Sequence, residues 1–221
     1  MNYKSEIINV EGRFSNNEKI LIDNLNTYFY LLTNRYVRGR VVRRGDFVRY
    51  ELYFEHNGKE ELLVLQFCLR DNEEVSNFVH ISNIVIPLFL RRKGIANGII
   101  TIMSKVGEYN LKMPLYITQI VNEEWKKSLI YHGGIEDDDG DILIEYYKWV
   151  ELNCKYGVAF LNNNEPDDEP IPRIFNCCCI EEITMVACAL ENQNCKKIIP
   201  FCYKENEEVY TWEYVIQNKI E

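Results

Sequence analysis

Two spacings of apolar residues succeed one another along the first 150 positions. Leu21, Leu25, Tyr28, Phe29 and Leu32 recur in steps of three and four, which puts them on one face of a helix. The stretch "SNNE", Ser15 to Glu18, ahead of them has the form of a capping box. The spacing then drops to two. Val48, Tyr50, Leu52 and Phe54 alternate with polar positions, and so do Leu63, Leu65, Phe67 and Leu69. Asn57-Gly58 between the two runs suits a tight turn that needs positive φ, so the segment reads as a hairpin. His80 to Leu90 is more continuously apolar and reads as a central strand. Gly94 to Tyr109 returns to helical spacing, with Ile95, Ile99, Met103 and Val106 on one face. "PLYITQIV" reads as a buried strand. "NEEWKKSLIYHGG" reads as a short helix capped by Asn122 and ended by two glycines. "DILIEYYKW" reads as a last strand.

These elements predict an α/β chain with a mixed sheet and helices on both faces. The pattern changes after Glu151. "NNNEPDDEPIPR" holds three of the six prolines and predicts a linker or exposed loop. "EEITMVACAL" and "EVYTWEYVIQ" read as strands beyond it. Tyr210, Trp212, Tyr214 and Ile216 share one face of the second, too much apolar surface to leave in water. That face is expected to pack within the chain or on a second copy, a homodimer. The expected domains are therefore 1–150 and 151–221, the latter a β-rich C-terminal extension.

Charge and cysteine follow the same division. The net charge is −9; residues 150–221 carry 6 Lys and Arg against 13 Asp and Glu, a net of −7. That balance argues against a nucleic-acid partner. Seven of the eight cysteines lie from Cys154 onward. With no CxxC pair and no histidine after His132, a structural zinc site is not expected. No run approaches the ~20 apolar residues of a membrane span, so no membrane partner is expected. "MNYKSEIINVEG" is not a secretory signal, so the thiols are expected to be reduced and the protein cytoplasmic. "RYVRGRVVRRGDFVR" places six arginines against one aspartate, a solvated strand and loop or a lure for an anionic ligand.

The chemistry concentrates after the central strand. Arg91, Arg92 and Lys93 precede Gly94, and a helix opens at once. A helix N-terminus offers unpaired amides and a partial positive charge, which suits a phosphate. Gly94 and Ala96 permit close approach. Arg91-Arg92-Lys93-Gly94-Ile95-Ala96, between a buried strand and a helix, resembles the Arg/Gln-x-x-Gly-x-Gly/Ala motif of the GNAT acetyltransferase superfamily. "IVIP" ahead of it resembles the family's strand with one extra residue, and the elements that follow match in order.

The resemblance implies a GNAT-like, mostly antiparallel sheet flanked by helices, with acetyl-CoA as acyl donor. It implies that the backbone from Arg91 to Ala96 holds the pyrophosphate and that Ile84, Val85 and Ile86 pair with the pantetheine arm. It implies that Asn122 bonds that arm. The reaction would be direct attack by an amine of a small molecule or protein on the thioester. The family's tyrosine acid aligns with Ile130, so Tyr131 is the candidate one residue late. The family's glutamate base aligns with Ser82 and His80. "EDDDGD", Glu136 to Asp141, could draw a cationic amine or be a solvated turn. Two other readings stand beside this one: an acyl-CoA-binding protein with little chemistry that acts through protein–protein contacts, and a nucleotide-binding protein unrelated to CoA.

Overall fold

The computed structural model describes residues 6–10, 12–32, 37–70, 77–154, 156–161, 173–177, 183, 186–187, 195–203 and 209–211. The chain divides into two compact units, Met1–Leu152 and Asn153–Glu221.

The first unit is built on an eight-stranded sheet. Its strands are β1 (Glu6–Asn9), β2 (Val37–Arg44), β3 (Phe47–His56), β4 (Lys59–Arg70), β5 (Phe78–Val85), β6 (Leu115–Ile117), β7 (Ile135–Glu136) and β8 (Ile142–Ile144). They lie in the order β1-β2-β3-β4-β5-β6-β8-β7. The pairs β1–β2 and β5–β6 are parallel and the other five are antiparallel. This is the mixed, mostly antiparallel sheet that the resemblance implied.

Four helices accompany it among the described residues: α1 (Asn16–Leu32), α2 (Ile95–Val106), α3 (Glu123–Tyr131) and α4 (Tyr146–Asn153). The capping box of α1 forms: the Ser15 amide donates to Glu18 Oε2 at 2.7 Å, and the Glu18 amide to Ser15 Oγ at 3.2 Å. Leu21, Leu25, Tyr28 and Phe29 of the α1 stripe are buried, and Phe29 stacks on Tyr50 of β3 at 5.5 Å. Asn57 and Gly58 take φ of 52° and 71°, the paired positive angles that the hairpin turn demands. Ile95, Ile99, Met103 and Val106 of α2 are all buried. One π-helical turn, Gly107–Leu111, carries the chain on from α2.

Three readings of the sequence are corrected here. "PLYITQIV" pairs only over Leu115–Ile117, because Gln119 turns the backbone with φ of 56°. "DILIEYYKW" is a strand only to Ile144, after which α4 begins. Tyr146, Trp149 and Asn153 are buried at helical spacing, and Trp149 Nε1 donates to Thr101 Oγ1 of α2 at 3.1 Å. In "EEITMVACAL" the described residues Ile183, Val186 and Ala187 are helical. Ile183 and Val186 are fully buried three apart, a stripe that strand alternation does not produce.

The second unit carries β9 (Tyr156–Leu161), β10 (Arg173–Cys177), β11 (Lys196–Tyr203) and β12 (Val209–Thr211) in the antiparallel order β10-β9-β11-β12. Among its described residues Cys154, Val158, Cys177, Ile183 and Val186 are buried and apolar. Tyr210 lies in β12 opposite Cys202, whereas Trp212, Tyr214 and Ile216 lie outside the described residues. No helix among the described residues is long and apolar enough to cross a membrane.

Candidate functional site

Two irregularities in the sheet open a cleft. β5 and β6 run parallel through Val79–Leu115, His80–Tyr116 and Ile81–Ile117, and the Thr118 amide adds a last rung to the Ile81 carbonyl at 2.9 Å. β6 then stops while β5 continues to Val85, so the strands part. At the same point β5 bulges. Phe67 of β4 pairs with Ile81 and Gln66 with Asn83, which leaves Ser82 as the extra residue. Ser82 Oγ is directed at the Gln66 carbonyl, 3.4 Å away.

A cavity of about 470 Å³ fills the gap, lined by Gln66, Ser82, Asn83 and Ile84 on one side and by Gln119 to Asn122 and Trp125 on the other. A second cavity of about 450 Å³ lies at the start of α2, lined by Ile86, Arg91, Arg92, Gly94 to Asn97, Ser128 and His132. Trp125, Ser128 and His132 are three and four residues apart, so one face of α3 borders both cavities. Sequence reasoning missed these three. The 3.6-residue spacing was there to be read, but nothing in it says which side of the helix meets a cleft.

The turn into α2 is tight, with two residues of positive φ. Gly94, its N-cap, takes φ of 73° and ψ of −1°, and Arg92 takes φ of 60°. The first helical rung is Gly98 N–H to the Gly94 carbonyl at 2.8 Å, so the amides of Ile95 and Ala96 lie ahead of the ladder. Arg91, Arg92 and Lys93 are exposed around this end, and Arg91 Nε donates to the Ile86 carbonyl at 3.0 Å. Free amides at a helix start are the kind of group that can meet an anion. Of the segment expected to meet a pantetheine arm, Ile84 and Ile86 line one cavity each and Val85 is 41% exposed.

Asn122 does two things at once. Its Oδ1 caps α3 by accepting from the Trp125 amide at 3.0 Å, and the residue lines the first cavity. His80 is buried beneath Phe78, stacked at 6.2 Å, and Phe47, edge-on at 5.5 Å. Burial lowers its pKa, and the Arg70 charge lowers it further. Its Nε2 has no hydrogen-bond partner. Tyr131 lies apart from these residues: it is 84% exposed at the end of α3 and lines neither cavity. In the acidic turn the Asp141 carboxylate is hydrogen-bonded by the Gln119 backbone, and Gln119 lines the first cavity. Its Glu136 is paired with Lys126 of α3 at 2.7 Å.

No protein-family model matches the chain, and no curated protein matches it. Among solved structures it is similar to a chain of the KacTA–DNA complex, at 12% identity and a TM-score of 0.37, over 50% of this chain and 74% of that one. It is also similar to a chain of AtaTR bound with acetyl-CoA, at 15% identity and a TM-score of 0.38, over 48% and 72%. A third is a mutant AtaT toxin bound to the C-terminus of the antitoxin AtaR and acetyl-CoA, at 11% identity and a TM-score of 0.34, over 48% and 72%. The exclusion of nucleic acid drawn above from net charge does not stand, since the KacTA assembly includes DNA; that complex does not show that the present chain binds nucleic acid. Each of these likenesses spans about half of the present chain.

Proposed function

We propose that the first unit binds acetyl-CoA and transfers its acetyl group to an amine by direct attack. The observation that carries this reading is the junction of a parted β5–β6 pair with the tight turn at Gly94. The amides of Ile95 and Ala96, with Arg91, Arg92 and Lys93 around them, hold the pyrophosphate. The open edge of β5 and the Asn122 side chain orient the arm in the gap. When bound, acetyl-CoA supplies an activated acyl carbon. The amine nitrogen bonds that carbon, the carbon–sulfur bond breaks with its electron pair on sulfur, and one amine proton must leave. We assign that proton to His80, which lies on β5 beside the parting of the strands: burial lowers its pKa, which favours the neutral imidazole, and Nε2 has no other partner. Ser82, directed at the Gln66 carbonyl, keeps the bulge in shape rather than carrying a proton. Solvent reprotonates the thiolate, since Tyr131 faces water.

A second reading is an acyl-CoA binder with little chemistry, and the exposure of Tyr131 favours it. Two measurements decide. Acetyl-CoA should raise the melting temperature of the protein by mass action. Gly94→Glu should abolish that rise, because a side chain and a negative charge would fill the phosphate site. No rise at millimolar acetyl-CoA overturns both readings. A rise without thioester consumption over a broad amine panel leaves the binder.

A further inference from the structure

Two buried polar atoms on one face of the sheet have no partner: His80 Nε2 and Thr118 Oγ1. His80 is 5% exposed and Thr118 8%. Their placement follows from register. Val79 and Ile81 of β5 are fully buried, and the Val79 side chain lies beside Gly107 at the end of α2, so His80 between them belongs to the reverse face, with Phe78. Tyr116 is the β6 partner of His80, and its ring meets Phe78 edge-on at 5.5 Å, which puts it on the same face. Thr118 follows Tyr116 by two residues at the last rung before the strands part. The two orphan atoms therefore belong to diagonal positions on neighbouring strands, at the last rungs before the strands part, and neither residue lines the cavity itself. Gln119, next in the chain, lines the cleft itself.

Buried polar groups are nearly always paired, so two orphans together point to a missing partner. The partner must accept from or donate to a hydroxyl and a neutral imidazole. Around them the surface is aromatic: Phe47, Phe78 and Tyr116 are each half-buried, with ring area still open to solvent. Burial lowers the His80 pKa, and the positive charge of Arg70 lowers it further. An aromatic surface of this kind suits an aryl group better than a polyamine chain.

We propose that Thr118 and His80 form the acceptor subsite, and that it takes a primary amine borne on an aromatic body, an arylalkylamine. Thr118 Oγ1 accepts one N–H, His80 Nε2 accepts another, and the body lies against the open faces of Phe78 and Tyr116. The proposal rests on the acetyl-transfer reading above. It goes further in giving Thr118 a role and the acceptor a chemical class.

The test measures CoA release with phenethylamine and tryptamine against spermidine and a lysine peptide, alongside the acetyl-CoA thermal shift of the same preparation. The expected result is a kcat/KM at least about tenfold higher for the aryl amines. Thr118→Val removes the hydroxyl at nearly constant shape. It should lower kcat/KM for the aryl amine about tenfold, the scale of one lost hydrogen bond. The change should fall mainly in KM, with the acetyl-CoA shift intact. Thr118→Ser, which restores the hydroxyl, should recover most of it. An intact acetyl-CoA shift with equal turnover of all four amines, or an unchanged KM in Thr118→Val, overturns this proposal and leaves acetyl transfer standing. Loss of the acetyl-CoA shift in the unsubstituted protein overturns both.

Discussion

Single side chains in the first unit are matched to their surroundings with few exceptions, and Glu51 shows how. It sits on β3, 2% exposed, on the face of that strand away from α1. A lone carboxylate there would be costly. Burial does push its pKa up, but hydrogen bonds from Arg40, Arg49 and Tyr53 outweigh it and bring the value from an ordinary 4.5 down to about 2. A lowered pKa stabilises the fold above the unfolded value, and the stabilisation is lost as pH falls through the folded one. Glu51→Gln should therefore cost about 1–2 kcal/mol at pH 7, less than the whole shift implies because the Arg40 side chain is 46% exposed. Denaturant melts at pH 7 and pH 2.5 check this: the gap to the unsubstituted protein should shrink steadily below pH 4.5. A gap that does not change with pH would assign the loss to packing. The arginine-rich stretch read from sequence as a solvated strand or an anion lure turns out to spend two arginines on this one carboxylate. The sequence shows the charges, but the pairing of Arg40 with Glu51 depends on the β2–β3 register, which no local pattern announces.

At the scale of elements, legibility tracked length. α1, α2 and the β3–β4 hairpin each supply several repeats of one period, and their types were readable. β6 and β8 are three residues each, too short for a period to declare itself, so flanking residues were absorbed into them. The cleft depends on those short strands: because β6 stops at Ile117, the gap opens. The motif at Arg91–Ala96 was legible because a glycine and three cations interrupt an apolar run. Thr118 was not, since its significance lies in what fails to reach it. Asn122 shows how one residue can serve an element and a site together. Asn122→Ala should remove the α3 cap and lower stability by about 1 kcal/mol. Asn122→Ser keeps a capping oxygen but has no amide to offer a ligand. It should melt close to the unsubstituted protein while its acetyl-CoA shift weakens. If Asn122→Ser keeps the full shift, the residue is a cap and nothing more.

Over the whole molecule, the question is how much of the chain the first unit needs. The composition break read at 150/151 falls inside α4, which runs from Tyr146 to Asn153. Trp149, fully buried, ties that helix to Thr101 of α2, and α2 begins at the Gly94 turn proposed above to hold the pyrophosphate. A chain ending at Val150 keeps the tryptophan but strips the last three residues of an eight-residue helix. Short helices hold together mainly through packing, so losing a turn weakens the anchor. A chain ending at Asn153 keeps α4 whole. We expect the longer truncation to melt cooperatively and to retain the acetyl-CoA shift. The shorter one should melt several degrees lower, as a loss of about 1–2 kcal/mol does in a domain of this size. Thermal melts of the two truncations with and without acetyl-CoA check both statements. Equal melting temperatures would mean that the end of α4 adds nothing to the hold of Trp149. Failure of the longer chain to fold would mean that residues after Asn153 complete the first unit, and the division into 1–150 and 151–221 would then have to be abandoned.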